Sequence, residues 1–94
     1  MNTSALADLD DILAYIAARS PSGAQKVQAR LQAITTLLLR HPNSGSRTDD
    51  PTIRRMTTSP YPYLIFYEVT ADAIIIHAVR HAARNPAEMP GSNL

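Results

Sequence analysis

The sequence predicts an α+β fold: an N-terminal antiparallel helical hairpin packed on one face of a three-stranded antiparallel β-sheet, with a four-stranded sheet as the alternative. Three observations lead there. Apolar residues recur at spacings of three and four from Leu6 to Leu38, which is a helical period. A single Ser20-Pro21 pair interrupts that period. From Pro42 onward the pattern changes to loop residues, then to short runs rich in aromatic and β-branched side chains.

Residues 4–19 read as the first helix, with Leu6, Leu9, Leu13 and Ile16 on one face. Ser4 is placed to cap it. Asp8, Asp10 and Asp11 lie toward the N-terminal end, where the helix dipole favours acid, and Arg19 lies at the other end. Ser20 is the expected cap of a second helix. Pro21 is its first residue, where a missing N–H breaks no intrahelical bond. Ala24, Val27, Leu31, Ile34 and Leu38 form the second stripe, which stops at His41-Pro42. So short a connection makes the helices antiparallel neighbours.

Pro42 to Ser46 opens a polar loop that runs to Pro51. Ile53 to Thr58 reads as a short strand. Ser59-Pro60-Tyr61-Pro62 predicts a turn, because two prolines so close disfavour both helix and central strand. Tyr63 to Val69 is the clearest strand, Thr70 to Ala73 a hairpin loop, and Ile74 to Val79 the antiparallel return. From Arg84 onward, Pro86, Pro90 and Gly91 predict a flexible tail that leaves the sheet. Residues 1–94 are read as one domain without repeats or linkers.

Composition narrows the function classes. The chain is 45% hydrophobic and 18% charged, a globular balance. With no cysteine, disulfides and thiolate metal sites are excluded, which suits a cytoplasmic location. No apolar run approaches the roughly 20 residues that span a bilayer. The first residues lack the basic and apolar segments of a secretory leader, so no membrane association is expected. A net charge of +1 argues against a dedicated, sequence-specific DNA binder.

His77 and His81 are four apart, a metal-pair spacing on a helix. On a strand that spacing spans about 13 Å, so no metal site is expected. Histidine suits general-base work, but the chain has no G-x-S-x-G and no usefully spaced carboxylate pair. No catalytic residue and no cofactor are therefore assigned, and His81 fits a structural or partner-contacting role better. Arg54, Arg55, Arg80 and Arg84, if they converge, would bind phosphate or carboxylate. Arg54 and Arg55 face opposite ways on a strand, so only one can join such a patch. The alternative is a set of ordinary solvated charges. Tyr61, Tyr63, Phe66 and Tyr67 are either base-stacking residues or, more often, the paving of a small core.

In order and spacing, several segments resemble the ParE/RelE superfamily of toxins from type II toxin–antitoxin modules. They are Ala7 to Ala17, then Pro42 with Gly45, Ile53-Arg54, Tyr61 to Val69, and His81-Ala82-Ala83-Arg84. The match covers about residues 5–86. It implies a RelE/ParE-like helical hairpin on a curved sheet, a cognate antitoxin that forms a hetero-oligomer with the chain, and one of two activities. ParE-like members bind and poison DNA gyrase, and RelE-like members cleave messenger RNA on the ribosome with basic residues and often a C-terminal tyrosine or histidine. The chain resembles the first branch more. Tyr63 and Leu64 stand where the ribonuclease branch often has a basic residue, no lysine follows Lys26, and no tyrosine follows Tyr67. His81-x-x-Arg84 looks ParE-like. The resemblance thus implies a gyrase-directed binding inhibitor, with His81, Arg84, Arg80 and Arg54 as target-binding residues. A ribosome-dependent endoribonuclease and a non-toxic, antitoxin-binding member are the alternatives. Relatives usually begin with a strand, whereas only three or four residues precede the first helix here. The expectation is that this strand is either missing or encoded upstream of Met1.

Overall fold

A computed structural model describes residues 3–83. Helix α1 spans Thr3–Ala17 and α2 spans Pro21–Arg40. Strands β1 (Ser46–Arg47), β2 (Arg54–Thr58), β3 (Tyr61–Val69) and β4 (Ile74–His81) form a four-stranded sheet in that order, every pair antiparallel. The fold is therefore α+β, two helices on a four-stranded antiparallel sheet. The fourth strand is not an N-terminal one. It is a two-residue edge drawn from the loop after α2, pairing Ser46 with Arg55 and Arg47 with Arg54.

The break between the helices follows the local chemistry read from the sequence. Ser20 sits in extended conformation and its hydroxyl accepts the Gly23 N–H at 3.0 Å, while Pro21 opens α2. At the far end, the His41 N–H donates to the Leu37 carbonyl. Val27, Leu31, Ile34 and Leu38 are buried, as their spacing predicts. Helix α1 is rotated slightly from its predicted phase: Ala5 is fully buried, whereas Leu6 is 49% exposed. Ala5 is what the first turn of α1 turns inward, so the packing and not the largest side chain sets the phase.

Helix α1 packs on α2 and on β4, and α2 reaches β2. The core between the layers joins Val27, Leu31, Ile34 and Leu38 to Ile65, Tyr67, Ile76 and Val79, with Leu9, Ile12, Leu13 and Ile16 against it. On the opposite sheet face Ile53, Phe66 and Ala78 form a second cluster with Leu64. Phe66 and Tyr67 are both wholly buried, on opposite faces, as alternation along a strand requires.

Two bulges shape the sheet. Between Phe66 and Tyr67 the pairing with β4 slips, from Phe66–Ala78 to Tyr67–Ile76, which leaves His77 as the extra residue. Residues beyond the bulge change phase, so Ile74, Ile76 and Val79 all belong to the helix-facing core. The second slip lies at Thr57/Thr58 and corrects the predicted turn. Strand β3 begins at Tyr61, two residues earlier than expected, and includes Pro62. A bulge is one of the few sheet positions where proline is tolerated. Thr58, fully buried, completes the pairing with its hydroxyl, which accepts the Tyr63 N–H and lies within 3.1 Å of the Tyr61 and Tyr63 carbonyls. Arg30 of α2 donates to the Ser59 carbonyl and pins this turn to the helical layer.

Candidate functional site

Of the residues expected to meet a target, Arg54 and Arg80 do not converge. Arg54 on β2 stands opposite Tyr67 of β3, and Arg80 on β4 stands opposite Leu64. Three residues of strand rise separate them lengthwise, about 10 Å, and β3 lies between them. Arg84 lies outside the described residues.

Arg54 belongs to a clasp at one end of the sheet. Its Nη1 donates to the Gly45 carbonyl at 2.9 Å and lies 3.4 Å from that of Asn43. The buried Tyr67 hydroxyl completes the clasp, donating to the Pro42 carbonyl at 2.7 Å and accepting the Gly45 N–H at 2.9 Å. A β-carbon on Gly45 would come within 2.6 Å of that hydroxyl and 2.8 Å of the Arg55 carbonyl, so this close approach requires glycine. The clasp also sets Ser46 and Arg47 into register as β1.

Arg80 belongs to a different joint. Its Nη1 donates to the Asp8 carboxylate of α1, and the same Oδ2 accepts the Val79 N–H at 3.1 Å. Strand β4 is the sheet edge, and Asp8 satisfies one of its outward amides while tying α1 to it. The two side chains are only 25% and 22% exposed, so the pair is shielded more than a surface salt bridge.

His81, next in sequence, is exposed at the end of β4. Its ring stands edge-on to Tyr63, with centroids 5.5 Å apart and an interplanar angle of 87°. Nδ1 accepts the Ala83 N–H at 3.1 Å, which places the proton of the neutral ring on Nε2 as an outward donor. Tyr63 and His81 form one wall of an open cleft of about 590 Å³, whose other side is Asp11, Ile12 and Tyr15 of α1. Arg19 lies over the Tyr15 ring, its guanidinium carbon 3.8 Å from the centroid.

The outer sheet face carries a further polar pair, His77 Nε2 and Glu68 Oε1 at 2.9 Å. Nearby, the Asp50 carboxyl is held below its ordinary range by hydrogen bonds from the Thr52 hydroxyl and amide, with a smaller contribution from the charge of His77. Among the described residues, no three His, Asp or Glu side chains gather as a metal site. No helix among them is long and apolar enough to cross a membrane.

Sequence reading placed His81 at the strand exit but missed Asp8, Asp11, Tyr15 and the clasp role of Tyr67. Asp8 and Asp11 read only as favourable helix-end charges. The sole advance signal for the cleft was their spacing: Asp11 and Tyr15 are four apart, one turn along a helix face.

Comparison with known proteins bears on these features together. Residues 1–86 match the family described as the ParE toxin of the type II toxin–antitoxin system parDE. Over 80 residues the chain is 40% identical to Toxin RelE2 of Caulobacter vibrioides, covering 85% of this chain and 89% of that protein. Its fold is similar to a chain in the structure of a chromosomal ParDE system from P. aeruginosa, with a TM-score of 0.71 at 23% identity, covering 85% and 89% of the two chains.

Proposed function

The chain belongs to the ParE toxin family of type II toxin–antitoxin systems, and from that premise we propose that it arrests growth by docking onto DNA gyrase without catalysing a reaction. One observation carries the preference for docking: the two described candidate arginines, Arg54 and Arg80, lie apart on the sheet and each is already engaged. Cleaving RNA requires groups that activate the 2′-hydroxyl and stabilise a phosphorane, gathered within a few ångströms of each other. Here Arg54 is held by loop carbonyls, Arg80 by Asp8, and Arg30 by the Ser59 carbonyl. His81 is accessible at the end of β4, and we propose that it contacts the target together with Arg84. Arg54 and Arg80 act in this reading by positioning the strands that present His81.

As a toxin of a toxin–antitoxin pair, the chain has a cognate antitoxin as its partner. We propose that the two form a hetero-oligomer in the cytoplasm and that the antitoxin masks the target-binding end. The second reading is a ribosome-dependent endoribonuclease, favoured by the likeness to a protein named Toxin RelE2.

Two assays on the purified chain separate the readings. Supercoiling by gyrase should be inhibited, with protein-linked DNA breaks accumulating, while messenger RNA on translating ribosomes stays intact. Specific cuts in the message with unimpeded supercoiling would establish the second reading instead.

A further inference from the structure

The cleft between α1 and the ends of β3 and β4 has a chemistry that the gyrase reading leaves unused. Asp11 and Tyr15 stand one helical turn apart on its α1 side. Asp8, on the same helix, is occupied by Arg80 and the Val79 amide, but the Asp11 carboxylate has no hydrogen-bond or ion-pair partner among the described residues. Opposite it, Tyr63 and His81 hold each other edge to face, and the Ala83 amide fixes the imidazole so that Nε2–H faces away from the backbone. Among the described residues the cleft thus combines one unpaired carboxylate with two tyrosine rings, and Asp11 is the one acidic or basic side chain besides His81 in the described lining.

A carboxylate beside aromatic faces selects a cation, and a flat one best. Guanidinium can donate two parallel N–H bonds to a carboxylate while its plane lies on a ring. An ammonium matches the charge but not the plane. A phosphodiester would meet the Asp11 charge with no lysine or arginine among the described lining residues to offset it. The chain itself shows that the Tyr15 ring accepts a guanidinium, since Arg19 already lies on it at 3.8 Å, and Tyr15 is still 60% exposed.

We propose that this cleft takes an arginine side chain presented by a polypeptide partner, with Asp11 pairing the guanidinium and Tyr63 and Tyr15 bounding its plane. The proposal rests on the reading that the chain works by docking to other polypeptides, and it assigns that docking an anchor.

The test is a titration of the full, isotope-labelled chain followed by amide chemical shifts, with acetyl-Gly-Arg-Gly-amide as probe. The same peptide with lysine, or with the uncharged isostere citrulline, and guanosine monophosphate serve as comparisons. The arginine peptide should shift the amides around Asp11, Tyr15, Tyr63 and His81. The citrulline peptide should bind at least tenfold more weakly and the lysine peptide more weakly than arginine. Asp11→Asn should weaken arginine binding at least tenfold while leaving the melting temperature unchanged, because the carboxylate it replaces is exposed and unpaired. Equal binding of arginine and citrulline, undiminished binding by the variant, tighter binding of the nucleotide, or no shift at the cleft would each overturn the proposal. None of these results involves gyrase, so failure here is distinct from failure to inhibit supercoiling.

Discussion

The two ends of the sheet differ in how their polar groups are used. At the clasp end the Tyr67 hydroxyl is doubly bonded, Gly45 has no room for a side chain, and Arg54 is bound to the loop it closes. At the β4 end Asp8 and Arg80 secure the edge, but the next residues outward, His81 and Asp11, keep an outward donor and a carboxylate unpaired among the described residues. Filling every hydrogen bond rigidifies a region and leaves nothing for a ligand. A binding surface needs the reverse, groups held firmly by their neighbours with one polar atom left over. In the proposed reading the first end serves stability and the second recognition.

The largest effects should come from breaking the clasp. Tyr67→Ala removes a wholly buried ring and should cost about 3–5 kcal/mol, a large share of the stability of so small a protein. Tyr67→Phe keeps the ring but orphans the Gly45 amide and the Pro42 carbonyl, and should cost about 1–3 kcal/mol. Chemical denaturation measures both. Gly45→Ala should fall in a similar range, about 1–3 kcal/mol, because its β-carbon meets the Arg55 backbone as well as the Tyr67 hydroxyl. A stable Gly45→Ala protein with an unchanged melting temperature would mean that the loop is not clamped.

How much of this was legible beforehand depended on the distance between partners. Ser20 and Pro21 were readable because a cap is made within three residues. The α2 stripe was readable because its period repeats over about four turns, and the Thr70–Ala73 hairpin because its closing bond, Thr70 N–H to the Ala73 carbonyl, is equally local. Leu6 misled because a helix's phase is chosen by what packs on it, and Ala5 gives no size signal. The strand β1 was invisible: Ser46 and Arg47 have no strand character, and their pairing exists because Tyr67, 22 residues beyond Gly45, fixes the loop. The Asp8–Arg80 joint spans 72 residues, and nothing near either residue announces the other. The candidate site was legible only on its sheet side, at His81 and the aromatic Tyr63, because the facing wall comes from α1, whose contact with β4 is tertiary.

Smaller effects sharpen the comparison at the second end. Asp8→Ala leaves a shielded Arg80 unpaired and the Val79 amide unsatisfied, and should cost about 1–3 kcal/mol, read as a melting-temperature loss of several degrees. It should also speed amide exchange in β4 more than in β2, whereas uniform exchange would argue against a local joint. Asp50→Asn should have the smallest effect, and one that depends on pH. The folded carboxyl is held below its ordinary range, so its contribution is present above the unfolded value and lost as pH falls through the folded one. The melting-temperature difference between Asp50→Asn and the parent should therefore shrink on acidification below pH ~4, and a constant difference would contradict the assigned hydrogen bonds from Thr52.

The most direct test of division between a structural end and a recognition end is His81→Ala, assayed for melting temperature and gyrase supercoiling inhibition on the same preparation. His81 is exposed, so the substitution should change stability by no more than about 0.5 kcal/mol while weakening inhibition at least tenfold. Inhibition by His81→Ala equal to that of the parent chain, or no inhibition by the parent itself, would contradict the assignment of gyrase docking to this end of the sheet.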